Sequence, residues 1–406
     1  MDAGRQLHAT VACEEQVARM MRSFPNDASI QVWAARAISA LTVDEPNDSA
    51  IQRSLGQAGA CAALVSALVK HRPNATVQFA TAGATDALLA AVRARLRYST
   101  VPRQALYALG AMAVRPNEPA DATLLLRRHA AQVVQAIVAA MRIDVTHQDL
   151  QAAAATAIER IMEHNNNGGA AIAQQLLDAG AGNALMEALA VSTRHGAAAF
   201  VLLALAALAS HGGSAAQLLA AGAAEAIMAP VAKHCRDKPR SPYEDIRRTE
   251  LLSAAMSAIA ALAVSAPADS ATPCAAGACE AAVTTVPEHV QILYARDIHR
   301  NLLERGLEAL AALASAAESH SPVVALSLVQ ARACEAATAA LNLVLTPCGN
   351  DATLTSAMRT ICALCADASA AARLSAAGAR ESVISAIPRC SNCPIVQTQL
   401  ERLSWL

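Results

Sequence analysis

Two pairs of cysteines stand at the C-x-x-C spacing that zinc sites use: Cys362 with Cys365, and Cys390 with Cys393. Four thiolates could hold a tetrahedral ion. Their surroundings point to a plainer role. Cys362 and Cys365 lie in the run Ile361-Cys362-Ala363-Leu364-Cys365, whose slots hold Ala and Leu in comparable stretches of the chain. Cysteine there serves as a small apolar residue. No strand–helix–strand pattern surrounds either pair, as a thioredoxin-type redox site would need. Nor does the chain carry a phosphate loop, a dinucleotide glycine fingerprint, a nucleophile elbow or a zincin helix motif. The Gly and Asn residues of His164-Asn165-Asn166-Asn167-Gly168-Gly169 and His211-Gly212-Gly213 read as turn formers after helices. The expectation is a chain that is not an enzyme, with no catalytic residues, no cofactor and no metal.

The remaining chemistry is charge. Basic residues cluster at Arg93, Arg95 and Arg97, and again at Arg236, Lys238 and Arg240, followed by Arg247 and Arg248. A third stretch, 287–300, carries Arg296, His299 and Arg300. Whole-chain charge is only -1, so nothing marks a general affinity for nucleic acid or anionic membrane. Aromatics make up 2% of the residues, too few for the stacking platforms of single-strand binders. A basic edge on a neutral chain instead predicts an acidic or phosphorylated protein segment as partner. Cations placed at helix C-termini by the macrodipole are the plainer reading of the same residues.

The elements that would carry these residues are helices. Apolar residues reach 54% of the 406, and Ala, the best helix former, is the commonest of them. The phrase Ala58-Gly59-Ala60 returns at Ala82-Gly83-Ala84, Ala179-Gly180-Ala181, Ala221-Gly222-Ala223, Ala276-Gly277-Ala278 and Ala377-Gly378-Ala379. A phrase that returns at tens of residues marks a repeat array rather than one globular core. Each unit reads as a short helix ending at the Gly, a second helix such as Asn183–Leu189, and a longer third helix. The third helix ends in Ala-Leu-x-x-Leu-Ala, as at Ala204–Ala209 and Ala309–Ala314. Glycine allows the sharp turn between the first two. Ala331-Arg332-Ala333 and Ala130-Ala131-Gln132 fill the same place without Gly and count as degenerate units.

Together these phrases, with Val-Gln-x-x-Ala opening the third helix, resemble the armadillo repeat family over nearly the whole chain. The wording is closest to the armadillo arrays of leucine-rich-repeat kinases and of armadillo-repeat-containing scaffolds. The resemblance implies an all-α, right-handed solenoid whose third helices line a concave groove. One register position falls at Ala40, Ala111, Arg160, Ala207, Ala261, Ala312 and Ala363. It recurs at about 50 residues, slightly beyond the usual 40–47. The step from Ala40 to Ala111 is longer and holds two Ala-Gly-Ala phrases but one third helix. A third helix is therefore expected to be incomplete near residues 78–82. The array counts about eight units as one solenoid over 1–406, cut mid-repeat at both ends, with a charged inserted loop at 235–249.

Armadillo proteins that hold extended basic peptides carry Trp and, four residues on, Asn on the third helix. Here the Asn position is almost always Ala, and the Trp position reads Arg36, Tyr107, Thr156, Leu203, Ser257, Glu308 and Arg359. The paired ladder is absent, which argues against a nuclear-import receptor. Those seven residues would instead give the groove mixed charge. Trp33 is out of register and expected in the core. The stretches Gly196–Ser210 and Leu251–Ala268 are expected to be buried helices rather than membrane spans. Eleven cysteines without a signal-peptide pattern suit a reducing compartment. The expected function is a monomeric, cytoplasmic or nuclear scaffold that binds proteins through groove and basic edge. The alternative is a regulatory armadillo fragment of a larger signalling enzyme, such as a leucine-rich-repeat kinase.

Overall fold

The computed structural model describes residues 16–27, 29–31, 33, 34, 37, 63, 106, 133–163, 169–192, 195–236, 241–290, 297–320, 322–345 and 351–390. Every regular element among them is helical. Contacts divide the chain into two compact units, Met1–Val191 and Ser192–Leu406.

In the first unit, α1 (Val133–Ile143) leads through a tight turn into α2 (Gln148–Glu163), α3 (Gly169–Asp178) and α4 (Ala181–Val191). Asp144 shapes the turn: its carboxylate accepts from the Thr146 N–H at 3.0 Å and the Thr146 hydroxyl at 2.6 Å. The Thr146 hydroxyl, above all, holds the Asp144 carboxyl below its ordinary range. The buried Gln151 then ties α2 back to α1, its amide donating to the carbonyls of Met141 at 2.8 Å and Asp144 at 2.9 Å. Gln31 repeats the device earlier in the unit, donating to Met21 and Phe24, both at 2.9 Å. Two otherwise orphaned helix-end carbonyls are satisfied each time, at about 1 kcal/mol per bond. Gln31 and Gln151 are thus structural ties. Leu150, Ile158, Ile161, Met162, Leu176 and Leu185 fill the core of α2, α3 and α4.

The second unit opens with α5 (His195–Ala209) and continues in sets of three. The first set is α6 (Ser214–Ala220), α7 (Ala223–Arg236) and α8 (Pro242–Ser265). The second is α9 (Ala271–Ala275), α10 (Ala278–Val290) and α11 (Asp297–His320). The third is α12 (Pro322–Gln330), α13 (Ala333–Val344) and α14 (Asp351–Leu364), followed by α15 (Ala368–Ala376) and α16 (Ala379–Cys390). The third helices α5, α8, α11 and α14 pack successively, each on the next.

Between first and second helices the chain turns through the left-handed region: φ is 87° at Gly180, 89° at Gly222, 93° at Gly277 and 78° at Gly378. Arg332 occupies the same place with φ 66°, so the degenerate junction keeps the turn.

Several expectations are corrected. The charged loop expected at 235–249 is mostly helix. α7 runs to Arg236 and α8 begins at Pro242, with the Ser241 hydroxyl capping the Glu244 N–H at 3.2 Å. Serine before proline, with Glu244 and Asp245 in the first turn, is a strong helix start. The loop expected at 287–300 likewise shrinks, because α10 continues to Val290 and α11 begins at Asp297. Extra residues here lengthen third helices to 24 residues. Trp33 is 68% exposed, not in the core; Ala34 beside it turns inward instead. α8 is long and apolar enough to cross a membrane by length and composition, with 61% of its apolar window buried inside the protein. The incomplete helix expected near 78–82 and the Ala130-Ala131-Gln132 junction lie outside the described residues.

Candidate functional site: the outer face of the third helices

In the second unit the register residues Leu203, Ser257, Glu308 and Arg359 come one to each helix on α5, α8, α11 and α14. Leu203, Ser257 and Glu308 are half-buried and Arg359 is exposed. The position four residues on holds Ala207, Ala261, Ala312 and Ala363. Alanine there lets neighbouring helices approach and offers no side-chain hydrogen bond. The inner sides of the same helices carry the core: Leu202 and Leu205, Leu252 and Ile259, Leu303 and Leu310, Met358 and Ile361.

The polar groups of this face are spread along the helices. Arg247 donates to Glu250 at 2.9 Å and reaches the Tyr243 hydroxyl at 3.1 and 3.0 Å. Its guanidinium also lies against Gly196 of α5, where an added Cβ would touch it at 3.5 Å. Arg305 pairs with Glu308 at 2.7 Å. Glu304 on α11 accepts from the Thr353 hydroxyl on α14 at 2.6 Å. Deeper between these helices, the Thr360 hydroxyl meets the Leu307 carbonyl at 2.9 Å and the Ser356 carbonyl at 2.8 Å. The Ser257 hydroxyl turns back to the Ser253 carbonyl at 3.1 Å. Val264 near the end of α8 and Phe200 on α5 are exposed apolar groups. The face therefore offers charged, polar and apolar side chains side by side.

Other expected residues fall differently. Thr156 is buried, and its hydroxyl bonds the Ala152 carbonyl at 2.8 Å. The expectation that it lines a groove is corrected, because α2 is buried continuously from Leu150 to Ile158. Arg36, Tyr107, Arg93, Arg95, Arg97, Lys238 and Arg240 lie outside the described residues, as does the side chain of Arg236. Cys362 on α14 and Cys365 in the turn just after it are both buried, and desolvation pushes the Cys365 thiol up to about 12. Among the described residues, no group of three or more His, Cys, Asp or Glu is placed to hold a metal ion.

Phe200 was missed from the sequence, and Arg247 was named there only as a loop cation. Phe200 is one turn before Leu203, so carrying the register back a turn along each third helix would have found it. Arg247 was assigned to a loop, which hid its place on α8.

The geometry defines an all-helical protein in which three-helix sets recur. Neither a protein-family model nor a curated protein matches the sequence. Among solved structures, two engineered proteins from the Northeast Structural Genomics Consortium share its fold. One is 21% identical, with a TM-score of 0.53, over 70% of this chain and 98% of that one. The other is 19% identical, with a TM-score of 0.52, over 69% of this chain and 96% of that one. A structure from work on a phosphorylation switch in the interaction between cadherin and beta-catenin aligns at 15% identity and a TM-score of 0.41, over 86% of this chain and 68% of that one.

Proposed function

We propose that the chain is an armadillo-type α-solenoid of about eight repeats that acts as a non-catalytic protein-binding scaffold. Its recognition surface is the outer face of α5, α8, α11 and α14, the concave groove of such an array. The observation that carries the reading is the register itself. The third helices stack in order and present Leu203, Ser257, Glu308 and Arg359 at equivalent positions, with the core on their opposite sides. A surface that is part charged and part apolar suits protein partners, where apolar anchors supply affinity and charges set orientation. Bulky apolar groups left exposed on it, Phe200 and Val264, are natural anchors. A scaffold of this kind works in the cytoplasm or nucleus and assigns no reaction to the chain.

Affinity capture from cell extract tests this, comparing the parent with a variant carrying Phe200→Ala, Glu308→Lys and Arg359→Glu. Partners that depend on the face should drop at least tenfold, roughly 1.4 kcal/mol. A control variant altered at the exposed Ile384 and Ile387 of α16 should keep them. Equal recovery by parent and triple variant, both with native helix content, would remove the proposal.

A further inference from the structure

One junction brings two nucleophilic side chains together. The chain here reads Thr272-Pro273-Cys274-Ala275-Ala276-Gly277-Ala278-Cys279. Cys274 lies in the last turn of α9, and Cys279 is the second residue of α10. Gly277, at φ 93°, folds the chain back on itself between them. Their sulfurs stand 3.0 Å apart and either thiol can donate to the other. Both are free thiols and buried, Cys274 at 5% and Cys279 at 0% exposure. A disulfide bond is about 2.05 Å long, so closure asks for a shift of about 1 Å. The sister junctions carry Leu219 with Ala224, Val329 with Cys334, and Ser375 with Arg380 at these places. Among the described junctions this one alone holds two thiols.

We propose that Cys274 and Cys279 are an oxidation site, at which a hydroperoxide converts the pair into a disulfide that staples α9 to α10. Cys274, the only one of the two with any exposed area, reacts first. Its thiolate attacks a peroxide oxygen, an S–O bond forms and the O–O bond breaks. With hydrogen peroxide as oxidant, the released hydroxide takes the thiol proton and leaves as water. The Cys279 sulfur then attacks the Cys274 sulfenic sulfur. The S–S bond forms, the S–O bond breaks and a second water leaves. Two thiols give up two electrons, and one peroxide becomes two waters.

The site is built for slow, gated oxidation. Contact with Cys274 and burial push the Cys279 thiol well above its ordinary range, which disfavours its thiolate as the first attacker. Access comes from α9, which has five residues and no side-chain cap. So short a helix opens locally at little cost. Once formed, the staple fixes α9 against α10, which itself packs on the third helix α11. This site stands apart from the binding face, so it can hold or fail independently of the proposed scaffold role.

Peptide mapping decides the matter. The reduced full-length protein is treated with hydrogen peroxide, its free thiols are alkylated in denaturant, and it is digested with trypsin. Both cysteines fall in one tryptic peptide between Arg248 and Arg296. That peptide should be unalkylated and lighter by two hydrogens, and dithiothreitol should restore alkylation at both positions. Peroxide added to the unfolded chain should give scattered pairing. In a Cys279→Ser variant, dimedone should trap a sulfenic acid at Cys274. The proposal is overturned if the folded parent keeps both cysteines alkylatable after peroxide has oxidised other thiols of the chain. Pairing of either one with a different cysteine overturns it as well, and both readings need only the parent protein.

Discussion

Two consecutive junctions of the second unit make the same turn with different residues. Between α15 and α16 the turn falls on Gly378, with φ 78°. Between α12 and α13 it falls on Arg332, with φ 66°. Both use the same hydrogen bonds, from Gly378 N–H to the Ser375 carbonyl at 3.1 Å and from Arg332 N–H to the Val329 carbonyl at 3.2 Å. The left-handed conformation is therefore imposed by the packing of the helices on either side. Glycine makes that conformation cheap; it does not create it. The Arg332 junction has a further support, because Arg373 on α15 donates to the same Val329 carbonyl at 3.0 Å. Glu335 adds an exposed pair with Arg332 at 3.6 Å.

The largest break in this comparison comes from giving the Gly378 junction a side chain. Open space surrounds the position, with only the Glu381 carboxylate near, at 3.8 Å from an added Cβ. A substitution there consequently reports backbone strain rather than collision. Gly378→Val should cost about 2 kcal/mol and Gly378→Ala about 1 kcal/mol, since L residues are disfavoured by this amount in the left-handed region and β-branched ones most. Thermal melts of the two variants measure the difference. Equal stability of parent and valine variant would mean that the turn is not held left-handed.

A smaller effect tests the other end of α15. Asp367 caps it, accepting from Ser369 N–H and Ala370 N–H at 2.9 Å each and from the Ser369 hydroxyl at 2.6 Å. Asp367→Ala should cost about 1 kcal/mol. The cap also has a pH signature. The Ser369 hydroxyl foremost, then the Ala370 N–H, hold the Asp367 carboxyl below its model-peptide value of 3.8. A depressed carboxyl stabilises the fold above its unfolded pKa, and that stability disappears as pH falls through the folded value. The gap between parent and Asp367→Ala should thus be full above about pH 5 and shrink below about pH 4. Unfolding curves across that range check it, and a gap that stays constant into acid would assign the loss to packing instead of the carboxylate.

Much of this architecture was legible in the residues. The Ala-Gly-Ala phrase located the turns at Gly180, Gly222, Gly277 and Gly378 because their glycines are there for a backbone reason. Helix phase alone carried the reading through Ala331-Arg332-Ala333. What escaped was length and exposure. Lys233 to Arg248 reads as a charged loop because its hydrophobic period lapses. A capped helix start with Ser241, Pro242, Glu244 and Asp245 nevertheless forms, since local capping does not need an apolar stripe. Thr156 shares the register of Ser257, yet it is buried while Ser257 is half-buried. Register gives a position around a helix, but burial depends on what neighbours cover it. Cys274 and Cys279 escaped because their meeting depends on the Gly277 turn and not on any spacing motif.

The smallest effect runs in the opposite direction and bears most directly on the comparison. Arg332→Gly should stabilise the protein. Removing the side chain relieves about 1–2 kcal/mol of left-handed strain. Glycine returns part of that as extra freedom in the unfolded chain, about 0.5–1 kcal/mol. Loss of the exposed Arg332–Glu335 pair removes at most a few tenths more. The net gain is about 0.5 kcal/mol, a rise in melting temperature small enough to need Glu335→Gln as a matched control. That control should leave the melt almost unchanged, because the Arg332 side chain is 73% exposed in its ion pair. If Arg332→Gly lowers the melting temperature instead, the arginine supplies more binding energy to the junction than its strain costs. The two junctions would then be alternative solutions to one turn rather than a good copy and a degenerate one.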